Sequence, residues 1–102
     1  MQTLGIGVDI IENSRIKKSI IDKNFINRVF SLEEITESKK KKNKVSFFSK
    51  RFAAKEAFSK ALGSGFRNGL NFSDISIFNG KYGTPSIRIN NKLKTLIKKK
   101  FN

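Results

Sequence analysis

Residues 45–62 read VSFFSKRFAAKEAFSKAL, the clearest helical pattern in the chain. Projected at about 100° per residue, one face of this helix carries Phe47, Ala54, Phe58, Ala61 and Leu62. Much of the opposite side carries Phe52, Ala53, Glu56, Ala57 and Lys60. A helix that is apolar on two sides is packed from both directions, so the pattern predicts a central helix. Gly63 is its expected stop.

Shorter elements surround this helix. Residues 3–11 predict a strand with buried faces, and short helices are expected near residues 14–22 and 25–30. Ser31 and Glu34 form a capping-box pattern that begins a further helix. Strands at 72–78 and 86–90 flank a turn at 79–83, and a basic amphipathic helix covers roughly 91–101. This order predicts an α+β fold in which helices cover a small, mostly antiparallel sheet.

The amino-acid composition limits the kinds of catalytic site, metal site and partner that the chain can have. The 102 residues predict one small domain, and the absence of Cys and His excludes disulfides, Cys-based zinc sites and a histidine general base. No signal peptide or membrane span is evident, so a cytoplasmic location is expected. The net charge of +14 favours an anionic partner: nucleic acid, anionic lipid, a polyphosphate ligand or an acidic protein. The lysine run at 39–42 is equally consistent with a solvated loop.

Two carboxylates stand out. Asp9 lies in a strand that reads as buried, on the face that Gly5 and Gly7 leave bare, where a ligand could approach closely. It could also cap the next helix or pair with a lysine. Glu56 lies among apolar residues of the central helix, where it could equally form an ordinary surface pair with Lys60. If the two carboxylates converge, they form an oxygen-only site that suits Mg²⁺.

Two segments of the sequence resemble the motifs of a known enzyme family, and they contain both of these carboxylates. The start, Gly5-Ile6-Gly7-Val8-Asp9-Ile10-Ile11-Glu12, and the helix from Arg51 through Gly65 resemble the two signature motifs of the holo-acyl-carrier-protein synthases. Weaker matches follow at Phe72-Ser73-Asp74-Ile75 and at Gly83-Thr84-Pro85. Members of this family are magnesium-dependent phosphopantetheinyl transferases. The resemblance covers nearly the whole chain in order.

The resemblance implies roles for individual residues. Asp9 and Glu56 match the magnesium ligands, and Lys60 matches a catalytic lysine near the pyrophosphate. The turn beside the phosphates of coenzyme A corresponds to Gly63, Ser64 and Gly65. Arg51 matches an arginine that reaches the 3′-phosphate, and two basic positions that dock the acidic acyl carrier protein correspond to Arg15 and Arg28. The family also implies a homotrimer with active sites between subunits.

The implied reaction transfers 4′-phosphopantetheine from coenzyme A to a serine of the apo carrier protein. Either Glu56 or a hydroxide on the metal would be the general base. The alternative from another class is a small basic nucleic-acid-binding protein, supported by the net charge and the terminal run 98–100. No recognised nucleic-acid-binding motif accompanies that charge, so we expect neither a nucleic-acid nor a membrane partner.

The chain departs from the family at its end. Members continue past the last helix into two further strands, the first with an S-x-[ST]-H motif, whereas this sequence stops at Asn102 and has no His. We therefore expect a C-terminally truncated domain with an open sheet edge, weak stability and low activity. An inactive relative of the family is the third hypothesis.

Overall fold

The computed structural model of the chain describes residues 14–63 and 71–101. The strand predicted at 3–11 lies outside these residues. The described part is helix-rich with one small antiparallel sheet, which confirms the α+β prediction. In chain order, it contains α1 (14–19), α2 (Lys23–Val29), α3 (Leu32–Ser38), α4 (Lys44–Leu62), a 3₁₀ turn (Phe72–Asp74), β1 (Ile75–Asn79), β2 (Pro85–Ile89) and α5 (Asn91–Phe101). No helix among them is long and apolar enough to cross a membrane.

Local side chains set the helix boundaries. The Asp22 carboxylate accepts a hydrogen bond from the amide of Asn24 and caps the start of α2. The first helix therefore ends earlier than predicted. The capping box of Ser31 and Glu34 is confirmed at the start of α3. Gly63 ends α4 at a φ of +93°, a backbone conformation that glycine adopts without strain.

The two strands form the predicted hairpin. Ile75 pairs with Ile89, and Ile77 pairs with Ile87. The amide of Gly80 donates to the carbonyl of Thr84 at 2.7 Å and closes the turn. The first strand begins later than predicted, since residues 72–74 form the 3₁₀ turn that leads into it.

Two apolar clusters meet along α4. The aromatic cluster comprises Ile16, Phe30, Phe47 and Phe48, and the sheet cluster comprises Ile75, Ile77 and Leu93. The helix α4 contacts two clusters, as expected for a central helix that is apolar on two sides, but the residues predicted to share one of those faces are divided between the clusters. Its early residue Phe47 joins the aromatic cluster, Ala54 and Phe58 pack on the sheet cluster, and Ala61 is exposed. A helix of 19 residues is about 28 Å long, so its two halves reach different elements.

A buried lysine joins the elements around α4. The ammonium of Lys55, with a side chain 0% exposed, lies 2.5 Å from the Glu34 carboxylate. It donates to the carbonyl of Val29 and to the carbonyl of Phe72, both at 2.8 Å. An ammonium has three N–H donors, and these contacts use all three. The interaction therefore connects α2, α3, α4 and the 3₁₀ turn.

Glu34 extends this connection into the sheet. One carboxylate oxygen accepts the amide of Ser31, and the other accepts the amide of Ile77 at 2.9 Å. Beside it, the Ser76 hydroxyl donates to the Ser31 hydroxyl at 2.7 Å. Without Glu34, the Ile77 amide would be a buried donor lacking this partner. We call the set Lys55, Glu34, Ser31 and Ser76 the buried polar network.

Burial sets the electrostatics of the network. Desolvation lowers the pKa of Lys55 from its ordinary value, and the Glu34 carboxylate opposes that shift. Because the unfolded chain then binds this proton more tightly than the native chain, the shift opposes stability at neutral pH. The carboxylate and the two carbonyls offset that cost, so the loss of either charged partner leaves the other buried without compensation and lowers the stability of the fold.

We predict that Lys55→Met lowers the free energy of unfolding by about 3–5 kcal/mol, because it leaves the Glu34 carboxylate buried without a cation. Urea denaturation followed by circular dichroism measures this quantity. The control is Lys94→Met, which removes an exposed helical lysine and should change stability by no more than about 0.5 kcal/mol. Equal midpoints for the two variants would contradict the structural role of Lys55.

Candidate functional site

Two of the predicted catalytic residues lie one turn apart on α4. Glu56 is half-buried and Lys60 is exposed. Within the described chain, no ion pair joins them, although residues four apart on a helix are neighbours. The alternative that Glu56 forms an ordinary surface pair with Lys60 is therefore not what the structure shows. The Glu56 carboxylate is available to a ligand.

The end of α4 places a glycine beside Lys60. The Gly63 amide donates to the carbonyls of Ser59 and Lys60, at 3.3 and 3.2 Å. Apart from its chain neighbours, a Cβ at Gly63 would have no atom of the described residues within 4 Å, so these residues leave that side of the backbone open. Ser64 and Gly65, the rest of the predicted phosphate turn, lie outside the described residues. The described chain thus places Glu56, Lys60 and Gly63 along the last two turns of α4.

Of the two predicted magnesium ligands, only Glu56 lies within the described residues. Because Asp9 lies outside the described residues, the convergence of the two carboxylates stays a prediction. Within residues 14–63 and 71–101, no group of three or more acidic, His or Cys side chains could hold a metal by itself. Glu56 nevertheless fits a magnesium ligand, since it is a half-buried carboxylate without a cationic partner in the described chain.

A second candidate region is a basic groove at the start of α4. This groove, of about 250 Å³, is lined by the cations Lys41, Lys42, Lys50 and Arg51, together with polar and aromatic residues. Four cations around one cavity create a positive potential that attracts anions. Such a cavity suits a phosphate-bearing ligand.

Arg51 is buried in this groove but incompletely bonded. The residue is 6% exposed, and its guanidinium lies 4.6 Å from the centre of the Phe47 ring. Its Nη2 is 3.8 Å from a Glu37 carboxylate oxygen, beyond hydrogen-bond distance. Its Nε has no hydrogen-bond partner in the described chain. Buried donors are rarely left unpaired, so this atom indicates room for an acceptor from a ligand.

The two predicted docking residues lie on the surface. Arg15 is exposed on α1, with its guanidinium 5.5 Å from the Phe52 ring. Arg28 is exposed in the last turn of α2. Phe52 lies between the two helices and the 3₁₀ turn, with ring centres 6.5 Å from Phe25 and 5.8 Å from Phe72. Both residues are therefore exposed on the surface of the described chain.

The buried polar network was not predicted from the sequence. Lys55 lies in the motif, and Glu34 was recognised only as a helix cap. A signal was present, because Phe47, Arg51 and Lys55 follow each other at intervals of four and thus share one helix face. Two cations on a face predicted to be apolar indicate buried, partnered charges.

Sequence comparison identifies relatives of this chain. The sequence pattern of the 4'-phosphopantetheinyl transferase superfamily matches residues 5–101. A holo-[acyl-carrier-protein] synthase of Pelagibacter ubique is 60% identical over 101 residues, covering 99% of this chain and 79% of the relative. A holo-[acyl-carrier-protein] synthase of Zymomonas mobilis is 46% identical, covering 95% of this chain and 75% of the relative.

Structural comparison agrees. The crystal structure of a holo-[acyl-carrier-protein] synthase from Neisseria meningitidis matches with a TM-score of 0.76 and 31% sequence identity. The match covers 86% of this chain and 72% of that chain. Sequence pattern, close relatives and fold lead to the same assignment: this chain belongs to the 4'-phosphopantetheinyl transferase superfamily.

Proposed function

We propose that the chain transfers the 4′-phosphopantetheine group of coenzyme A to a serine of an apo acyl carrier protein. The observation that carries this proposal is the end of α4, where Glu56, Lys60 and Gly63 occupy the last two turns and neither charged side chain has an ion-pair partner in the described chain. The relatives, which bear the name holo-[acyl-carrier-protein] synthase, support the choice of acceptor.

The serine Oγ attacks the β-phosphorus of coenzyme A, and the bond to the bridging pyrophosphate oxygen breaks. The serine proton passes to a general base, for which Glu56 is the candidate among the described residues. Adenosine 3′,5′-bisphosphate leaves with the bond electrons. Lys60 stabilises the charge that develops on the leaving phosphate.

The same family resemblance supports a homotrimer and a cytoplasmic location.

Asp9 and Glu56 would hold Mg²⁺. When bound, this ion neutralises charge on the pyrophosphate oxygens as the phosphoryl group transfers. The support from the described residues is the unpaired, half-buried carboxylate of Glu56. Asp9 is proposed from its position in the strand motif.

The basic groove would bind the 3′-phosphate of coenzyme A. Arg51 would offer its unpaired Nε, and Lys41, Lys42 and Lys50 would add positive charge around the phosphate. Charge-assisted hydrogen bonds of this kind are stronger than neutral ones. The exposed Arg15 and Arg28 would meet acidic residues of the carrier protein, which speeds encounter.

Glu56→Gln should reduce Mg²⁺-dependent transfer by about 10²-fold or more, because it removes a metal ligand and the candidate base. The assay follows the mass gain of an apo carrier protein incubated with coenzyme A, with and without Mg²⁺. Glu33→Gln is the matched control, because Glu33 is an exposed carboxylate that pairs with Arg88 instead. Full Mg²⁺-dependent activity of a folded Glu56→Gln protein would rule out this site.

Arg51→Met should lower kcat/KM for coenzyme A by about 10- to 10²-fold, as expected for a lost charged hydrogen bond. The effect on 3′-dephospho-coenzyme A should be small, so the preference for coenzyme A falls. Comparing the two substrates in each protein cancels any loss of folded enzyme. An unchanged preference would show that Arg51 does not contact the 3′-phosphate.

Arg15→Glu and Arg28→Glu should each raise the KM for the carrier protein and flatten its salt dependence, while the KM for coenzyme A stays the same. Lys94→Glu, the same reversal on the exposed surface of α5, serves as control. The nucleic-acid hypothesis predicts instead tight RNA or DNA binding with a steep salt slope and no need for Mg²⁺. That slope, without transfer activity, would favour the alternative.

A further inference from the structure

Two of the acceptors around Lys55 connect the catalytic helix to the helix that carries a predicted docking residue. The Val29 carbonyl ends α2, directly after the predicted docking residue Arg28. The Phe72 carbonyl lies in the 3₁₀ turn, against which α2 packs. Lys55 itself precedes Glu56, the proposed metal ligand, on α4. One ammonium therefore connects the docking helix to the catalytic helix.

Lys55 is not placed to bind substrate. Its side chain is fully buried, and its three donors are used by Glu34, Val29 and Phe72. The Val29 carbonyl is one of those that a helix C-terminus leaves without an intrahelical donor. A cation at that position also interacts favourably with the helix dipole. Lys55 thus holds the end of α2 that carries Arg28.

We propose that Lys55 is a positioning residue, which fixes the carrier-docking helix α2 against α4 and so sets the distance between Arg28 and Glu56. This proposal rests on the proposed function. Loss of the ammonium frees the end of α2, while Phe25 and Ile26 still hold the helix on the aromatic cluster. The docking surface is then displaced and the protein remains folded.

The absence of cysteine from the chain permits a direct test. Lys55→Cys introduces a single thiol, which is alkylated in the unfolded state and refolded. Aminoethylation restores an ammonium at the end of a side chain of nearly lysine length. Propylation gives a neutral side chain with the same number of heavy atoms. The unsubstituted chain, taken through the same treatment, controls for refolding.

We expect the aminoethylated protein to regain the carrier KM of the unsubstituted chain. The propylated protein should show a carrier KM higher by about 10- to 10²-fold, the scale expected for a misplaced contact, with its KM for coenzyme A nearly unchanged. Arg28→Glu should raise the carrier KM much less in the propylated protein than in the unsubstituted chain, because the two residues act as a unit. A loss of stability alone would lower the amount of active enzyme and leave both KM values unchanged.

The positioning role is wrong if the two alkylated proteins have equal carrier KM values, or if the effects of Arg28→Glu are additive. If the propylated protein does not refold, Lys55→Gln provides a second neutral side chain, whose amide has two donors in place of three and ends one atom short of the ammonium position. That variant should raise the carrier KM in the same direction, and an unchanged value would overturn the proposal. No transfer by the unsubstituted chain would overturn the proposed function as well, which separates the two failures.

Discussion

The ion pair between Lys55 and Glu34 is the constraint on which the other described contacts depend. Both side chains are almost completely buried, and every polar atom that they present has a partner from a different element. The described residues form two separate small apolar clusters in place of one continuous core. The buried polar network therefore does what a single larger core does in other folds: it gives the helices and the hairpin one relative arrangement. Charged groups achieve this because their hydrogen bonds are directional, whereas apolar packing tolerates sliding.

The two buried cations of α4 show how bonding distinguishes a structural residue from a ligand-binding one. Lys55 and Arg51 lie one turn apart on the same helix face, and both are nearly excluded from solvent. All donors of Lys55 are satisfied by the protein. Arg51 stacks on Phe47 and retains an unpaired Nε beside a groove lined by lysines. Burial alone would assign both residues the same role, and only the count of partners separates them.

The helix α4 also explains how so many proposed functional positions can fall within one short motif. A single rigid helix carries the groove residue Arg51, the buried anchor Lys55 and the proposed catalytic pair Glu56 and Lys60. Successive residues on a helix point in directions about 100° apart, so neighbouring side chains contact different parts of the structure.

The sequence by itself determined the features that depend on near neighbours. The extent of α4, its stop at Gly63, the capping box at Ser31 and the hairpin turn were all predictable, because hydrogen bonds over a few residues specify them. The motif of α4 likewise indicated the family and the candidate residues Glu56 and Lys60. The strand at 3–11 and its Asp9 remain predictions, since they lie outside the described residues.

Only the tertiary structure decided which partners the buried charges contact. Lys55 meets a carbonyl 26 residues away, and the Glu34 carboxylate meets an amide 43 residues away. No local pattern encodes such pairs, because a lysine favours solvent until folding provides a carboxylate and carbonyls at hydrogen-bond distance. The same reason explains the divided apolar face of α4. A helical projection shows which residues share a direction, but the elements that pack along that direction are chosen only when the distant parts of the chain meet.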